Sequence, residues 1–349
     1  MKQAPETVAI IGAGSWGTAL AVQCARVGLS VRLWARSPDV ARAIAATGRN
    51  PWYLTDIEIA PGVMATDDLE RALEGAAFVV VAVPSEFVAA TLERARGVPR
   101  RAALVSATKG LDPERLQRMT ELLASRFPGR PVAALSGPTF AREVALGQPT
   151  ACVVASEDDA LAARLQTALG SREFRLYTNR DVVGVEIGGA LKNVVALATG
   201  LADGLGLGEN SRAGLITRGL AEVTRLAVAL GAAPATLAGL AGVGDLVLTC
   251  TGGLSRNRAL GVALGRGTPL AVAEGGTRMI AEGVRTVRSA LALAQRHRVR
   301  LPICEEVGAV LFDGKSPAEA LDALLGRAAT REDLPAAAMG ARGQGSGNA

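Results

Sequence analysis

Along the first half of the chain, short apolar runs alternate with longer stretches in which apolar residues recur at helical spacing. Val8–Ile11, Val31–Trp34, 78–83, 102–107, 131–135, 150–155 and 173–178 have the length and character of strands. Between them the pattern predicts helices over 18–27, from Ser37-Pro38-Asp39 onward, and over 85–95, 113–126 and 157–169. This alternation predicts a mostly parallel, doubly wound sheet with helices on both faces. After Asn179 the strand signal fades. Asp181 to about Leu205 is one long apolar helical pattern, and further helices are expected near 210–231, 255–265, 283–298, 302–312 and 317–326. The predicted organisation is an α/β domain over residues 1–179 and an all-helical domain over 180–330. The tail over 331–349 is small and flexible in composition, which predicts disorder.

The first strand runs directly into Gly12-x-Gly14-x-x-Gly17, and a helix follows. Strand, glycine turn and helix in that order form the dinucleotide-binding fingerprint. Gly12 permits the turn, Gly14 leaves room for a pyrophosphate against bare backbone, and Gly17 lets helix and strand pack closely. The anion would sit on the free N–H groups of the helix N-terminus. At the end of the second strand an NAD-selective site usually places a carboxylate for the ribose hydroxyls. Here that strand ends Trp34-Ala35-Arg36, with Asp39 already in the following helix start. A guanidinium can pair with a 2′-phosphate, so Arg36 favours NADPH, with NADH tolerated.

Bulk composition narrows the class. A chain of 349 residues, 49% apolar and 20% charged, suits two globular domains with a sizeable core. The longest unbroken apolar run, Ala76 to Pro84, is of strand length and too short to cross a bilayer. No charged-then-apolar leader precedes the first strand, which points to the cytoplasm. Cys24, Cys152, Cys250 and Cys304 are scattered without C-x-x-C spacing, which argues against a metal site or a disulfide framework. The net charge of +5 comes from arginines spread along the chain, a mild attraction for anionic ligands and not a nucleic-acid surface.

Titratable residues narrow the chemistry further. The single histidine, His297, sits within Gln295-Arg296-His297-Arg298 on a polar helix face and reads as solvated, so the commonest acid–base residue is out of play. Four lysines stand against 34 arginines. A donor that must also release its proton has to be lysine, because guanidinium stays protonated. Lys2 lies at the N-terminus and Lys315 in a turn. Lys109 falls at the carboxyl end of a predicted strand, with Val83-Pro84-Ser85 and Ser136-Gly137-Pro138-Thr139 at two others, where doubly wound sheets bind ligands. Lys192 interrupts an otherwise apolar helix, and burial there would bring its pKa down toward a range useful for proton transfer. Snorkelling to solvent is the plainer reading of such a lysine.

Two polar clusters remain. Ser255 is placed to cap a helix that carries Arg256 and Asn257 in its first turn, a group suited to a phosphate, although capped helices after glycine-rich loops are common without any ligand. Gly275 to Gly283 reads only as a turn.

The blocks GAGSWGTALA, VAVPS, ATKGL, LSGPTFAREV, EIGGALKNVVALATGLADGLGLGEN, LAGVGDLVLTCTGGLSRNR and AEGVRT occur in the order seen in bacterial NAD(P)-dependent glycerol-3-phosphate dehydrogenases, and the chain resembles that family from about Val8 to Gly326. The resemblance implies a Rossmann domain followed by a helical domain like that of 6-phosphogluconate dehydrogenase. It also implies reversible reduction of dihydroxyacetone phosphate to sn-glycerol 3-phosphate, with NADPH or NADH, for glycerophospholipid synthesis. Lys192 resembles the family's proton-transfer lysine, and Lys109 resembles a residue shared between cofactor and substrate. Gly137, Thr139, Asp245, Ser255, Arg256 and Asn257 match substrate positions, Arg256 also lying near the cofactor. Ser15, Trp16, Arg36, Ala141, Ile280 and Glu282 match nicotinamide-cofactor positions. Thr139 stands where serine is common, and the Asn50–Thr55 loop departs most from the family pattern.

The mechanism so implied has Lys192 protonate the carbonyl oxygen, Asp245 orient Lys192, and the Ser255–Asn257 helix start hold the phosphate. The expected partner is a small-molecule substrate, with no nucleic acid and no membrane span, and a homodimer is compatible with the sequence. A hydroxyacid or 6-phosphogluconate-type dehydrogenase, or a non-catalytic NADP-sensing module, are the alternatives.

Overall fold

The computed structural model describes residues 5–275 and 281–328. The first half alternates β1 (Thr7–Ile11), α1 (Ser15–Arg26), β2 (Ser30–Trp34), α2 (Pro38–Thr47), β3 (Val63–Thr66), α3 (Leu69–Leu73), β4 (Phe78–Val81), α4 (Ser85–Arg94) and β5 (Ala103–Ser106). It continues through α5 (Met119–Arg126), β6 (Val132–Ser136), α6 (Ala141–Ala145), β7 (Thr150–Ala155), α7 (Asp159–Leu169) and β8 (Phe174–Asn179). The eight strands form one sheet in the order β3-β2-β1-β4-β5-β6-β7-β8. All neighbours are parallel except β6 and β7. Because side chains alternate across a strand, Val8 and Ile10 feed the core under α1 and α7, while Ala9 and Ile11 feed the opposite core under α3, α4 and α5. The strand order reverses between β1 and β4, and the crevice at their carboxyl ends is where such sheets take ligands.

Three short elements of this half escape the sequence pattern: β3, α3 and α6. The helix expected over 113–126 starts only at Met119. Asp112 Oδ1 accepts from the backbone N–H groups of Glu114 (3.1 Å) and Arg115 (2.6 Å), and Leu116 takes a left-handed φ of 56°. A side chain that satisfies the local backbone in this way competes with the helix.

The second half is helical throughout its described residues: α8 (Val182–Gly204), α9 (Glu209–Ala229), α10 (Pro234–Leu237), a π-helical turn (Leu240–Gly244), α11 (Asp245–Thr251), α12 (Arg256–Gly265), α13 (Leu270–Gly275), α14 (Glu282–His297), α15 (Pro302–Phe312) and α16 (Pro317–Leu325). The axis of this half is α8. By length and hydropathy, with a mean of 1.4, α8 could cross a membrane, but 89% of that stretch is buried inside the protein, so it is a core helix. Pro234–Thr251, which takes in α10, the π-helical turn and α11, passes the same length test with a mean of 1.3; both stretches include polar residues and so differ from the unbroken apolar run read in the sequence. The apolar residues of α8 pack against α9, α11, α12 and α14. Glycines set the closest approach of α8 to α12: a Cβ at Gly200 would lie 2.2 Å from the Arg258 carbonyl oxygen, and one at Gly261 would lie 2.3 Å from that of Leu197.

The halves are joined by a buried polar clasp. Glu186 on α8 accepts from the Thr120 N–H (2.8 Å), the Thr120 hydroxyl and Arg118 Nη1 (2.8 Å) at the start of α5. Burial raises the Glu186 pKa, and Arg118 is the main opposing influence. All four cysteines are buried free thiols. His297 is exposed at the end of α14, and Lys315 pairs with Glu306 at 2.6 Å. The predicted tail lies outside the described residues.

Candidate active site

A cleft of about 530 Å³ runs along the carboxyl ends of the central strands and continues under α8, α11 and α12. Its floor begins at the glycine turn. Gly12 has φ +118°, and a Cβ there would lie 2.9 Å from the Ala82 carbonyl oxygen. A Cβ on Gly17 would sit 1.8 Å from the Gly12 carbonyl oxygen, so this glycine lies behind the turn and lets it close. At Gly14 nothing lies within 4 Å of an added Cβ, so open space remains beside the N-terminus of α1. That space, Ser15 and Trp16 beside it, and the unpaired N–H groups of α1 fit a pyrophosphate. Trp16 Nε1 donates to the Ala107 carbonyl (3.1 Å), tying α1 to the end of β5.

The Asn50–Thr55 loop, least secure by sequence, is pinned from below. The buried Asn50 donates through Nδ2 to the Ala13 carbonyl (2.9 Å) and Thr18 Oγ1 (3.0 Å), and its Oδ1 accepts from the N–H groups of Trp52 and Tyr53. Trp52 and Tyr53 thereby line the cleft, as does Arg36. Arg36 is exposed, with its guanidinium 5.3 Å from the centre of the Phe87 ring. A guanidinium braced on a ring can still present its N–H edge to an anion.

Farther along the cleft the sheet half and the helical half share one carboxylate. Asp245, the first residue of α11, is 0% exposed. Lys109 Nζ donates to its Oδ2 (2.8 Å), to the Gly137 carbonyl (2.8 Å) and to Thr139 Oγ1 (3.1 Å). Lys192 Nζ donates to Asp245 Oδ1 and to Thr249 Oγ1 (2.8 Å). Lys192 is 8% exposed, so it is buried and paired, which settles the choice against snorkelling. Desolvation brings its pKa down from 10.5 to about 8. Asp245 opposes that shift, and Lys109 adds to it. Both amines line the cleft while Asp245 lies behind them.

Beyond the lysines, Ser255 caps α12, its hydroxyl accepting from the Arg258 N–H at 3.3 Å. The first turn of α12 leaves backbone N–H groups unpaired within the helix, and Ser255, Arg256 and Asn257 reach the cleft there. Asn257 is anchored from behind: its Nδ2 donates to Asn193 Oδ1 (2.9 Å), and its Oδ1 accepts from the Gly283 N–H (2.9 Å). Ala141, at the start of α6, and the half-buried Glu282 also line the cleft. Desolvation raises the Glu282 pKa, opposed first by Arg256. Ile280 lies outside the described residues.

The cleft thus gathers residues from both halves that sequence reading had singled out separately. It also depends on residues to which that reading gave no role of their own. Thr249 could have been found as the residue one turn after Asp245 on the same helix face. The contributions of Asn50 and Phe87 depend on tertiary approach and carry no local signal. Among the described residues, no group of three or more His, Cys, Asp or Glu is arranged to hold a metal ion.

Comparison with known proteins follows the same two halves. The family profile described as NAD-dependent glycerol-3-phosphate dehydrogenase N-terminus matches residues 7–162, and its C-terminus counterpart matches residues 181–322. The glycerol-3-phosphate dehydrogenase (NAD(P)+) of Rhodospirillum rubrum is 50% identical over 328 residues, 94% of each chain. That of Geobacter sulfurreducens is 50% identical over 326 residues, 92% of this chain and 97% of the relative. The crystal structure of glycerol-3-phosphate dehydrogenase from Coxiella burnetii superposes with a TM-score of 0.90 at 40% identity, covering 93% of this chain and 99% of that one.

Proposed function

The chain belongs to the NAD-dependent glycerol-3-phosphate dehydrogenase family, and from that premise we propose that it reduces dihydroxyacetone phosphate to sn-glycerol 3-phosphate with NADPH, tolerates NADH, and runs the reverse oxidation. As a member it is an oxidoreductase of lipid metabolism that works with NAD(P). Its product would feed glycerophospholipid synthesis.

The observation that carries the reading is the pair of amines on one buried carboxylate, facing a cleft whose other end is a dinucleotide turn. Gly12, Gly14, Ser15 and Trp16 would hold the pyrophosphate, Arg36 the 2′-phosphate, and Ala141 and Glu282 the nicotinamide end. A nicotinamide held there would supply the hydride for the carbonyl carbon. Negative charge then grows on the carbonyl oxygen, and preorganised donors aimed at that atom lower the barrier most. Lys192 gives that oxygen its proton and takes it back in the oxidative direction. Asp245 and Thr249 hold the Lys192 amine in place, so little reorganisation accompanies the transfer. Lys109, tied to Gly137 and Thr139, adds a second positive charge beside the substrate. The α12 helix start, with Ser255, Arg256 and Asn257, would grip the phosphate and fix the carbonyl at the lysines.

Loss of reduced-nicotinamide absorbance on adding dihydroxyacetone phosphate to the purified protein and NADPH tests this directly. Stoichiometric formation of sn-glycerol 3-phosphate is expected. Turnover of a 3-hydroxyacid or 6-phosphogluconate, with none of dihydroxyacetone phosphate, would overturn it.

A further inference from the structure

Asp203 lies in the last turn of α8, about three helical turns beyond Lys192. Its carboxylate is divided between two arginines. Oδ1 accepts from Arg212 Nε (3.0 Å) and Nη2 (2.7 Å), and Oδ2 accepts from Arg258 Nε (2.8 Å) and Nη2 (2.7 Å). The Asp203 side chain is only 9% exposed. A carboxylate so far removed from water is costly to keep unless it is fully paired, and here each oxygen meets one edge of a guanidinium fork.

Arg258 is the link to the cleft. It directly follows Arg256 and Asn257 on the first turn of α12, and its own N–H is the one that the Ser255 hydroxyl accepts. The glycine contacts bring α8 and α12 together but present smooth backbone, which limits separation more than rotation. The Asp203–Arg258 pair adds a directional side-chain link between the two helices and so opposes rotation of α12. Arg212, itself paired with Glu209 at the start of α9, holds the other oxygen and keeps the carboxylate from following Arg258.

We propose that Asp203 is a positioning residue for substrate recognition: through Arg258 it fixes the rotation of α12, so that Ser255, Arg256 and Asn257 meet the substrate's phosphate together. This rests on the reading of the α12 helix start as the phosphate anchor. Asp203 does not line the cleft, so its effect on the substrate runs through Arg258.

The test compares dihydroxyacetone phosphate with unphosphorylated dihydroxyacetone, which lacks the group being gripped and is expected to react slowly. Full-length wild type, Asp203→Asn, Arg258→Lys and Arg256→Ala are assayed with NADPH. Asp203→Asn is near-isosteric, and Arg258→Lys keeps the charge while losing the fork, so a fold failure in one leaves the other. Both are expected to raise KM for dihydroxyacetone phosphate about tenfold, while kcat/KM for dihydroxyacetone and Kd for NADPH stay within about twofold. Equal losses on the two ketones would make Asp203 merely structural and overturn the proposal. Unchanged KM in both variants, with Arg256→Ala still raising it, would overturn the proposal and leave the phosphate anchor standing. If Arg256→Ala spares KM for the phosphorylated ketone, the anchor reading fails and the role of Asp203 fails with it.

Discussion

Glu186, in the first half of α8, accepts both the backbone N–H and the hydroxyl of Thr120, on the first turn of α5. With Arg118 alongside, this contact joins the half that carries Lys109 to the half that carries Lys192. Removing one partner of a buried ion pair leaves the other uncompensated, so Glu186→Ala should destabilise the protein by about 3 kcal/mol. Glu186→Gln can still accept from Thr120 and should cost less. Urea denaturation midpoints measure both. A loss below about 0.5 kcal/mol for the alanine variant, the scale of an ordinary surface substitution, would show that the clasp holds nothing.

Lys192 must be charged to donate and neutral to accept. With its pKa near 8, kcat for reduction should be level at lower pH and fall as pH rises through about 8, while kcat for oxidation should rise through the same range. Opposite limbs in the two directions are the signature, and limbs of the same sign would assign the titration to another group. Lys192→Ala should lower kcat by about 10²-fold or more with NADPH binding intact. Lys192→Arg should not restore it, because guanidinium does not release its proton.

Arg36→Ala should weaken NADPH more than NADH, since only NADPH carries the 2′-phosphate that a guanidinium can pair with. Kd values from quenching of protein fluorescence give the ratio. Equal losses would mean that Arg36 works on the adenine or on the wall it shares with Phe87.

Two glycines of one turn should respond differently to the same change. Gly17→Ala forces a Cβ into the Gly12 carbonyl, where backbone has to move, and should cost about 1–3 kcal/mol or more. Gly14→Ala meets open space, so it should cost only the N-cap preference of Gly over Ala, about 0.5–1 kcal/mol. Its methyl group would occupy the room expected for the pyrophosphate, so cofactor affinity should fall much further than the melting temperature. A Gly14→Ala protein that binds NADPH normally would move the pyrophosphate elsewhere.

Local pattern revealed what local physics determines. The β1 strand, glycine turn and α1 need only neighbouring residues, and the cost of a lysine within Ile187–Leu197 singled out Lys192. The meeting of Lys109 and Lys192 on Asp245 could not be read from spacing, because it depends on the end of β5, α8 and α11 converging. Strand β3 has four residues and owes its existence to pairing with β2. The late start of α5 turns on Asp112, whose side chain captures the backbone that a helix would have used.

The four thiols are shared evenly between the halves, Cys24 and Cys152 under the sheet and Cys250 and Cys304 among the helices. Burial pushes Cys24 and Cys250 up to about 12, so almost no thiolate is present near neutrality, and alkylation requires both exposure and deprotonation. The folded protein is therefore silent toward alkylating reagents, and each thiol becomes a clock for the opening of its own half. Mass-resolved labelling during slow denaturation would date those openings separately, with no residue introduced for the purpose.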